Sequence, residues 1–296
     1  MVLEIGSSLC VFPFFTLKSG ARHVYVLAEN SIISSITKEI IKNNEFQDRI
    51  TVITLKDNDN CLEMVHLPVD KVDIIISNWM GVLLFQDSLL NIVIKARDKW
   101  LVCDGYILPD KANIYIAAIK SSQIKERLRF WDDVYNIDMR IIKENMVKSV
   151  SIEKCSSQLV ASSICLLHTI DLYEINANEL NSYSFSCKYE LKFERNEIIQ
   201  GVIAWFDVYF EKLPCKVFFT SSPFNKMTLY KQCLFYFDDE EILFKGENLA
   251  GSFALRNFKA EENQNDINYP FIGIKISFHF TGKITNKQLI KLYKLK

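Results

Sequence analysis

The sequence predicts an α/β domain over residues 1–109, followed by an antiparallel β domain over residues 110–296. The chain has 296 residues, which is more than one hydrophobic core usually covers. In the first hundred residues, strand and helix signals alternate, which is typical of a parallel, doubly wound sheet. After Pro109 the pattern changes to segments in which every second residue is apolar, which is typical of half-buried antiparallel strands.

The α/β domain is predicted from four strand segments. Residues 2–5 indicate a short buried strand that ends in a turn at Gly6. Residues 23–27 indicate a second strand. The β-branched segments 50–55 and 72–77 show no clear alternation, as expected of strands covered on both faces.

Helical repeats lie between these strands. Ser31 is a favourable N-cap for a helix in which Ile32, Ile36 and Ile40 recur every four residues. Another amphipathic helix follows Asp87, with apolar side chains repeated along one side. The alternation of strands and helices thus continues to the end of the first domain.

The second domain begins with a helical, aromatic segment at residues 124–139. Residues 185–193 and 272–280 then alternate apolar with other side chains, and several such strands predict a sandwich or a barrel. The polar segments 56–61 and 259–268 are predicted to be loops.

Composition excludes several classes of protein. The formal net charge of −1 argues against nucleic-acid binding driven by charge, so we expect no direct nucleic-acid partner. The eight cysteines include no C-x-x-C pair, which predicts reduced thiols, no metal site and a cytoplasmic or nuclear location. No apolar segment approaches membrane-spanning length, and the N-terminus does not have the pattern of a signal peptide, so we expect no membrane partner.

Several motifs resemble the type I protein arginine methyltransferase family. The most specific is VDIIISNWMG at residues 72–81, with Asp87 nine residues after Asn78. LPVDKVD at residues 67–73 leads into this motif. ARDKWL at residues 96–101 and FWDDVY at residues 130–135 follow it, in the same order as in the family. The resemblance extends over nearly the whole chain. Family members carry helices before the first strand, where this chain begins, so we expect either a real loss or a truncated gene model.

The resemblance implies both a fold and an assembly. Residues 1–109 would form a Rossmann-like domain that binds the cofactor S-adenosyl-L-methionine, and residues 110–296 a β-barrel substrate domain. A helical dimerisation arm would lie at about residues 121–150, with Trp131 and Tyr135 in the contact. The expected partners are arginine-containing proteins and a second methyltransferase chain, as a homodimer or a heterodimer.

The resemblance places the cofactor turn directly after the first strand. The family motif has glycine at the positions of Gly6, Ser8 and Cys10, because the backbone must let the ligand approach closely. Only Gly6 is glycine here, while Glu4 keeps the acidic residue that precedes the motif in the family. Two interpretations remain: a turn that binds the cofactor, or an ordinary β-to-α turn.

Two further acids are candidates for cofactor contacts. The family uses a carboxylate after the second strand to bind both ribose hydroxyls, and the position in register is Ala28, with Glu29 following. Glu63 corresponds to a family acid near the adenine. For both Glu29 and Glu63, the alternative is a solvated acid on a loop.

The resemblance also implies where arginine would bind. Two family glutamates hold the guanidinium, and their positions are Asn78 and Asp87, while Trp79 and Met80 shape the loop. Asn78 removes one charge, and a lost charge-assisted hydrogen bond costs roughly 1.5–3 kcal/mol, about one to two powers of ten in rate. Asp87 is either the second ligand or the N-cap of the following helix.

In the second domain, Thr228-Leu229-Tyr230 corresponds to the family's Thr-His-Trp loop. Tyr230 would either stack on a guanidinium or serve as a core or rim aromatic. Three hypotheses for function follow: a methyltransferase with weakened activity, a pseudoenzyme that pairs with an active relative, or a duplicated protein without a selected role. Because the substitutions fall on the residues that do the chemistry, the sequence favours the pseudoenzyme over an active catalyst.

Overall fold

The computed structural model describes residues 1–6, 11–55, 62, 65–176, 184–226, 228–258 and 271–295. The chain forms two compact units. The first contains Met1–Lys111 together with Asp171–Asn181 and Val208–Phe218, and the second contains the remaining residues. The predicted loops at 56–61 and 259–268 lie outside the described residues, as do Ser8 and Glu63.

The first unit contains a five-stranded parallel sheet with the strand order β3-β2-β1-β4-β5. This confirms the predicted parallel sheet, and the sequence order reverses between β1 and β4. The elements are β1 (Val2–Ile5), α1 (Val11–Lys18), β2 (Val24–Ala28), α2 (Ser31–Asn43), β3 (Ile50–Thr54), β4 (Val72–Ser77), α3 (Leu90–Trp100) and β5 (Leu101–Leu108).

The sheet is buried because helices pack on it. One core cluster joins Leu17 of α1 and Ile41 of α2 to apolar side chains of β1, β2 and β3. Helix α3 packs on β4 and β5 through a buried face that includes Val93, Ala96 and Trp100. The predicted apolar side of this helix therefore faces the core.

The isoleucine repeat in α2 does not mark its buried face. Ile32 is 70% exposed and Ile36 is also exposed, while Ser34, Thr37 and Ile41 are buried. The predicted cap at Ser31 is also wrong, because Asn30 is the N-cap and its Oδ1 accepts from the backbone N–H of Ile33 at 2.9 Å. The helix thus begins as expected, but its small polar residues are the ones that fit against the sheet.

Among its described residues, the second unit contains two β-sheets and two α-helices. One sheet has the order β7-β12-β10-β6-β8, with β11 paired to β10, and the other has the antiparallel order β15-β14-β13-β9. The elements are β6 (Lys111–Lys120), α4 (Ser122–Phe130), α5 (Arg140–Lys148), β7 (Ser151–Glu153), β8 (Cys165–Asp171), β9 (Ser184–Lys192), β10 (Glu197–Phe210), β11 (Val217–Thr220), β12 (Gln232–Leu243), β13 (Asn248–Phe258), β14 (Phe271–Thr281) and β15 (Asn286–Leu295).

Aromatic side chains fill the space between these two sheets. Phe235 of β12 contacts Phe253 and Tyr293 with ring centroids 5.9 and 5.1 Å apart. Phe237, also on β12, lies 4.7 Å from Phe278 in an edge-to-face arrangement. The alternating segments form an antiparallel β domain, as the sequence predicted. Its core is largely aromatic.

The arm is anchored on the larger sheet. Ile124 and Leu128 of α4 and Val147 of α5 belong to one core cluster with Trp205 and Tyr236. Within the described ranges, no helix is both long and apolar enough to cross a membrane.

Candidate active site

The candidate active site lies at the carboxyl ends of β1, β2 and β4. Ligands of open α/β sheets bind where the strand order reverses, and here that place is between β1 and β4. Ile5 and Ser77 are in register at this point, and the Ser77 hydroxyl donates to the Ile5 carbonyl at 2.9 Å. The residues that follow these strands, Gly6 and Asn78, are therefore brought together.

The turn at Gly6 has the geometry that requires glycine. Its φ is +81°, and a Cβ atom there would lie only 2.0 Å from Cδ1 of Leu89. The same Cβ position is 3.2 Å from Oε1 of Glu29, so the Glu29 carboxylate also lies beside the turn. The sequence assigned Leu89 to the apolar side of the helix after Asp87, whereas the structure places it at the N-cap of that helix, beside the turn at Gly6.

The other predicted cofactor residues on these strands are buried in the sheet. Glu4 is 1% exposed and lies between Val26 and Ile76 in the neighbouring strands. Ala28, at the position of the family's ribose acid, is completely buried, whereas Glu29 is exposed. Glu29 is therefore the acid that this structure places beside the turn.

The loop that carries Asn78 and Asp87 is closed at its base. The Trp79 carbonyl accepts from the Ser88 hydroxyl at 2.8 Å and from the Leu89 N–H at 3.0 Å. The indole of Trp79 is fully buried, and its Nε1 donates to the Pro109 carbonyl at 3.2 Å. These contacts hold the two ends of the loop together. Asn78 directly precedes the closed base, and Asp87 directly precedes Ser88 at its other end.

Inside the loop the chain folds back tightly on itself. Backbone bridges join Gly81 to Leu84 and Val82 to Gln86. A Cβ atom at Gly81 would lie 1.7 Å from the Gln86 carbonyl oxygen, so only glycine allows this close approach. Met80 is also buried, which assigns it to packing.

Asn78 and Asp87 are both exposed, and Asp87 has a φ of +55°. The alternative that Asp87 caps the following helix is wrong. Helix α3 begins at Leu90 after an N-cap, Leu89, that makes no side-chain cap bond, and the Ser88 hydroxyl accepts from the Leu90 N–H at 3.1 Å. A non-glycine residue in this conformation is uncommon, and the folded loop around it must hold it there.

In the second unit, Tyr230 packs among aromatic rings. Its ring stacks on Phe219 at 5.9 Å and meets the edge of Phe206 at 5.1 Å. Its N–H donates to the Thr228 hydroxyl at 3.2 Å, while Leu229 is 98% exposed. The geometry favours the rim-aromatic interpretation of Tyr230 over guanidinium stacking.

The arm presents apolar side chains to its surroundings. Tyr135 is 93% exposed at a tight turn, where Val134 and Ile137 exchange backbone hydrogen bonds of 3.0 and 3.1 Å. Trp131 is partly buried and meets the edge of Phe130 at 5.1 Å. Phe130, which begins the FWDDVY motif, is also exposed, as are Ile137 and Ile141, which the sequence did not single out.

Comparison with known proteins agrees with this geometry. A family model described as the arginine methyltransferase oligomerization subdomain matches residues 110–282. The chain is 35% identical over 297 aligned residues to "Probable protein arginine N-methyltransferase 1.2" of Arabidopsis thaliana, covering all of this chain and 77% of that protein. It is 34% identical to protein arginine N-methyltransferase 8-B of Danio rerio, covering 67% of that protein.

Solved structures show the same likeness. A chain of the Trypanosoma brucei PRMT1 enzyme-prozyme heterotetrameric complex with AdoHcy superimposes with a TM-score of 0.84 at 26% identity, covering all of this chain and 88% of that one. Arabidopsis thaliana protein arginine methyltransferase 10 shares the fold at a TM-score of 0.76 and 22% identity. These findings confirm the resemblance inferred from the motifs, and the chain belongs to the protein arginine N-methyltransferase family.

Proposed function

We propose that this chain is a family member whose methyl transfer is weakened or lost, and that it acts mainly as the dimer partner of an active arginine methyltransferase. The observation that carries the proposal is Asn78, an exposed amide at one flank of the closed loop, where the family has a carboxylate. Asp87 at the other flank keeps its charge but has a shorter side chain.

Asn78 and Asp87, the two positions that hold the guanidinium in the family and that we call the clamp, explain why activity should fall. Methyl transfer to a guanidinium nitrogen requires a fixed orientation of the planar group and negative charge beside it. Asn78 can accept a hydrogen bond but supplies no charge. The loss of roughly 1.5–3 kcal/mol predicts a rate about ten to one hundred times lower from this substitution alone.

The residues at the turn fit the cofactor S-adenosyl-L-methionine only in part. Gly6 has the left-handed turn that a close ligand requires, and the Glu29 carboxylate beside it can accept from ribose hydroxyls. Ala28 offers no such acceptor, and Leu89 occupies the space next to Gly6. The cofactor supplies an electrophilic methyl group on a sulfonium. We therefore expect it to bind this chain, with reduced affinity.

The exposed apolar surface of the arm supports the partner role. Tyr135, Ile137 and Ile141 expose large apolar side chains, a feature that marks protein interaction surfaces. The match to an oligomerization subdomain covers this segment, and the similar trypanosomal structure is named as a heterotetramer of an enzyme and a prozyme. The partner that we propose is a related methyltransferase chain, in the cytoplasm or the nucleus.

Residual catalysis by this chain alone is the second candidate. It is supported by the position of Glu29 beside the turn and by the finding that Asp87 does not cap α3. An acid that is not used for capping remains available to a guanidinium. This candidate keeps the same cofactor and the same arginine substrates.

One experiment separates the two candidates. We would measure methylation of arginine-rich peptides by the purified chain, alone and mixed with an active relative, and compare the Asn78→Glu variant with Asn78→Gln as the matched neutral control. We expect little turnover alone, a gain only in Asn78→Glu, and a mixed oligomer by light scattering. Robust turnover by the unchanged chain would refute the impaired-site proposal, and the absence of a mixed oligomer would refute the partner role.

A further inference from the structure

The second unit contains a cavity of about 400 Å³. Helix α4 forms one wall with Ile124 and Arg127, and the segment at residues 153–157, which begins with the last residue of β7, forms another. Strand β12 and residues 221–223 border the same space. The volume lies within the range of sites that hold small molecules.

The charged side chains of this lining carry an excess of positive charge. Arg127 and Lys154 are cations, and Glu153 is the one carboxylate among the described lining residues. The Arg127 guanidinium donates to Oε2 of Glu153, while the hydroxyls of Ser151 and Tyr236 donate to Oε1. Burial opposes ionisation of Glu153, but these hydrogen bonds outweigh it and hold the pKa of Glu153 below its ordinary value. The carboxylate is therefore ionised and bonded at both oxygens, and one positive charge remains unbalanced.

Both cations keep hydrogen-bond donors for a ligand. A guanidinium has five N–H groups, so the bond to Glu153 leaves others on Arg127, whose side chain is 49% exposed. Lys154 is exposed and forms no ion pair with any residue that the structure describes. Because an ammonium donates three hydrogen bonds, Lys154 can bind an anion directly. The lining therefore favours a negatively charged ligand.

Serine hydroxyls add donors of fixed position. The Ser156 oxygen accepts from the Gln158 N–H at 3.3 Å, and the Ser222 oxygen accepts from the Phe224 N–H at 3.2 Å. These bonds use the oxygens and leave the hydroxyl hydrogens able to donate. Ser157 also lines the cavity. Donors on the cations and the serines suit a phosphoryl group with three strong acceptor oxygens better than a carboxylate with two.

The rest of the lining is apolar and is held by a buried amide. The Gln232 side chain accepts from the Cys155 N–H at 2.7 Å and donates to the Ser221 carbonyl at 2.6 Å, which joins the two segments that carry the serines. The apolar lining residues are Ile124, Leu159, Pro223 and Leu234. An organic group can be buried against these side chains while its charged end bonds the cations and the serines.

We propose that this cavity binds a small organic phosphate, a phosphate monoester with an apolar remainder. Its phosphoryl oxygens would accept from Arg127, Lys154 and the serine hydroxyls, and the remainder would pack on the apolar lining. Such a phosphate carries a charge of about −1.5 to −2 at pH 7, which the excess positive charge attracts. This site goes beyond the proposed function and depends on neither the cofactor turn nor the clamp.

The test uses the full chain with phenyl phosphate as the probe, and binding is followed by calorimetry and by saturation-transfer NMR. We expect a Kd of about 1 mM or tighter. Phenol, which lacks the charge, and inorganic phosphate, which lacks the ring, should both bind more weakly. Raising the ionic strength should weaken the binding of phenyl phosphate. Binding should persist in excess S-adenosylhomocysteine, which separates this cavity from the cofactor turn.

Two charge variants test the electrostatic part of the proposal in opposite directions. Lys154→Gln should weaken binding of phenyl phosphate about five- to tenfold, because it removes a charged donor. Its matched control is Lys148→Gln, at an exposed position outside the lining. Glu153→Gln should tighten binding about twofold or more, because it removes the negative charge and keeps an oxygen that can accept from Arg127.

A third variant tests the location of the site. Ser157→Phe places a ring in the cavity and should weaken binding about tenfold, while Ser184→Phe on β9, an exposed position outside the lining, should not. The proposal is overturned if phenyl phosphate does not bind, if phenol binds as tightly, or if S-adenosylhomocysteine displaces the probe. It is also overturned if a folded Lys154→Gln or Ser157→Phe variant binds as the unchanged chain does, or if Glu153→Gln fails to tighten binding. A phosphoserine peptide that binds more tightly than phenyl phosphate would overturn the assignment to a small molecule.

Discussion

The closed loop leaves no room for a side chain at Gly81, so we predict that a substitution there is destabilising. A Cβ atom there would lie 1.7 Å from the carbonyl oxygen of Gln86 and 3.0 Å from the backbone carbon of Asp87. Both neighbours are backbone atoms, so no side-chain rotation can relieve the clash. The Gly81→Ala variant must therefore open the loop that carries Asp87.

The cost can be worked out from the contacts that would be lost. Five backbone hydrogen bonds lie within residues 81–86, and displacing Gln86 would break two of them: Val82 N–H to the Gln86 carbonyl at 2.9 Å and Gln86 N–H to the Val82 carbonyl at 3.1 Å. Each contributes about 0.5–1.5 kcal/mol, and overpacking adds about 1–3 kcal/mol. With these two bonds lost, we expect Gly81→Ala to lower the free energy of unfolding by about 2–6 kcal/mol.

Gly20 provides the matched control in the same unit. Its φ is +100°, and nothing lies within 4 Å of the Cβ position, so Gly20→Ala adds only backbone strain of about 1–2 kcal/mol. Urea unfolding would compare the two variants, and hydrogen exchange would follow the amides of Val82, Gln86 and Leu89. If Gly81→Ala costs no more than Gly20→Ala and these amides stay protected, the proposed loop geometry is wrong.

Three further predictions concern the core, the arm and the ion pair that the Arg127 guanidinium forms with the Glu153 carboxylate. Trp79→Phe loses the bond to Pro109 and part of a buried ring, so thermal unfolding should show a loss of about 1–3 kcal/mol; an unchanged midpoint would contradict this contact. Tyr135→Ser should weaken self-association or pairing in sedimentation while stability stays within about 0.5 kcal/mol, and unchanged assembly would argue against the arm surface. Because the pKa of Glu153 is lower in the folded chain, its ionised carboxylate stabilises the fold at a pH above the unfolded pKa of about 4.5. This contribution is lost as the pH falls through the pKa of the folded chain. Stability of Glu153→Gln should therefore depend less on pH between about 5 and 3 than that of the unchanged chain, and equal slopes would refute the assignment.

Much of the fold could be predicted because local patterns follow burial directly. The segment at 72–77 is rich in β-branched residues, and it forms β4 within a covered parallel sheet. Alternation at 185–193 likewise corresponds to β9. The repeat at Ile32 and Ile36 predicted the wrong buried face of α2. In the structure the smaller Ser34 packs against the sheet, and the two isoleucines are exposed.

The site was harder to predict from the sequence because it depends on contacts between distant segments. Leu89 contacts the turn at Gly6, yet 83 positions separate the two residues in the sequence. Asp87 was a plausible cap by residue type, but the backbone at 87–89 gives that place to Ser88 and Leu89.

The structure also explains how the fold can be kept when the residues at 78 and 87 are exchanged. Asn78 and Asp87 are exposed, so their side chains contribute little to packing, and surface substitutions usually change stability by less than about 0.5 kcal/mol. Trp79 and Gly81, in contrast, are fixed by a buried hydrogen bond and by a backbone contact that admits no side chain. A chain can therefore exchange its clamp residues at almost no cost to folding, while the loop that presents them and the arm anchored on the second unit remain intact. This separation is consistent with the partner role that we propose.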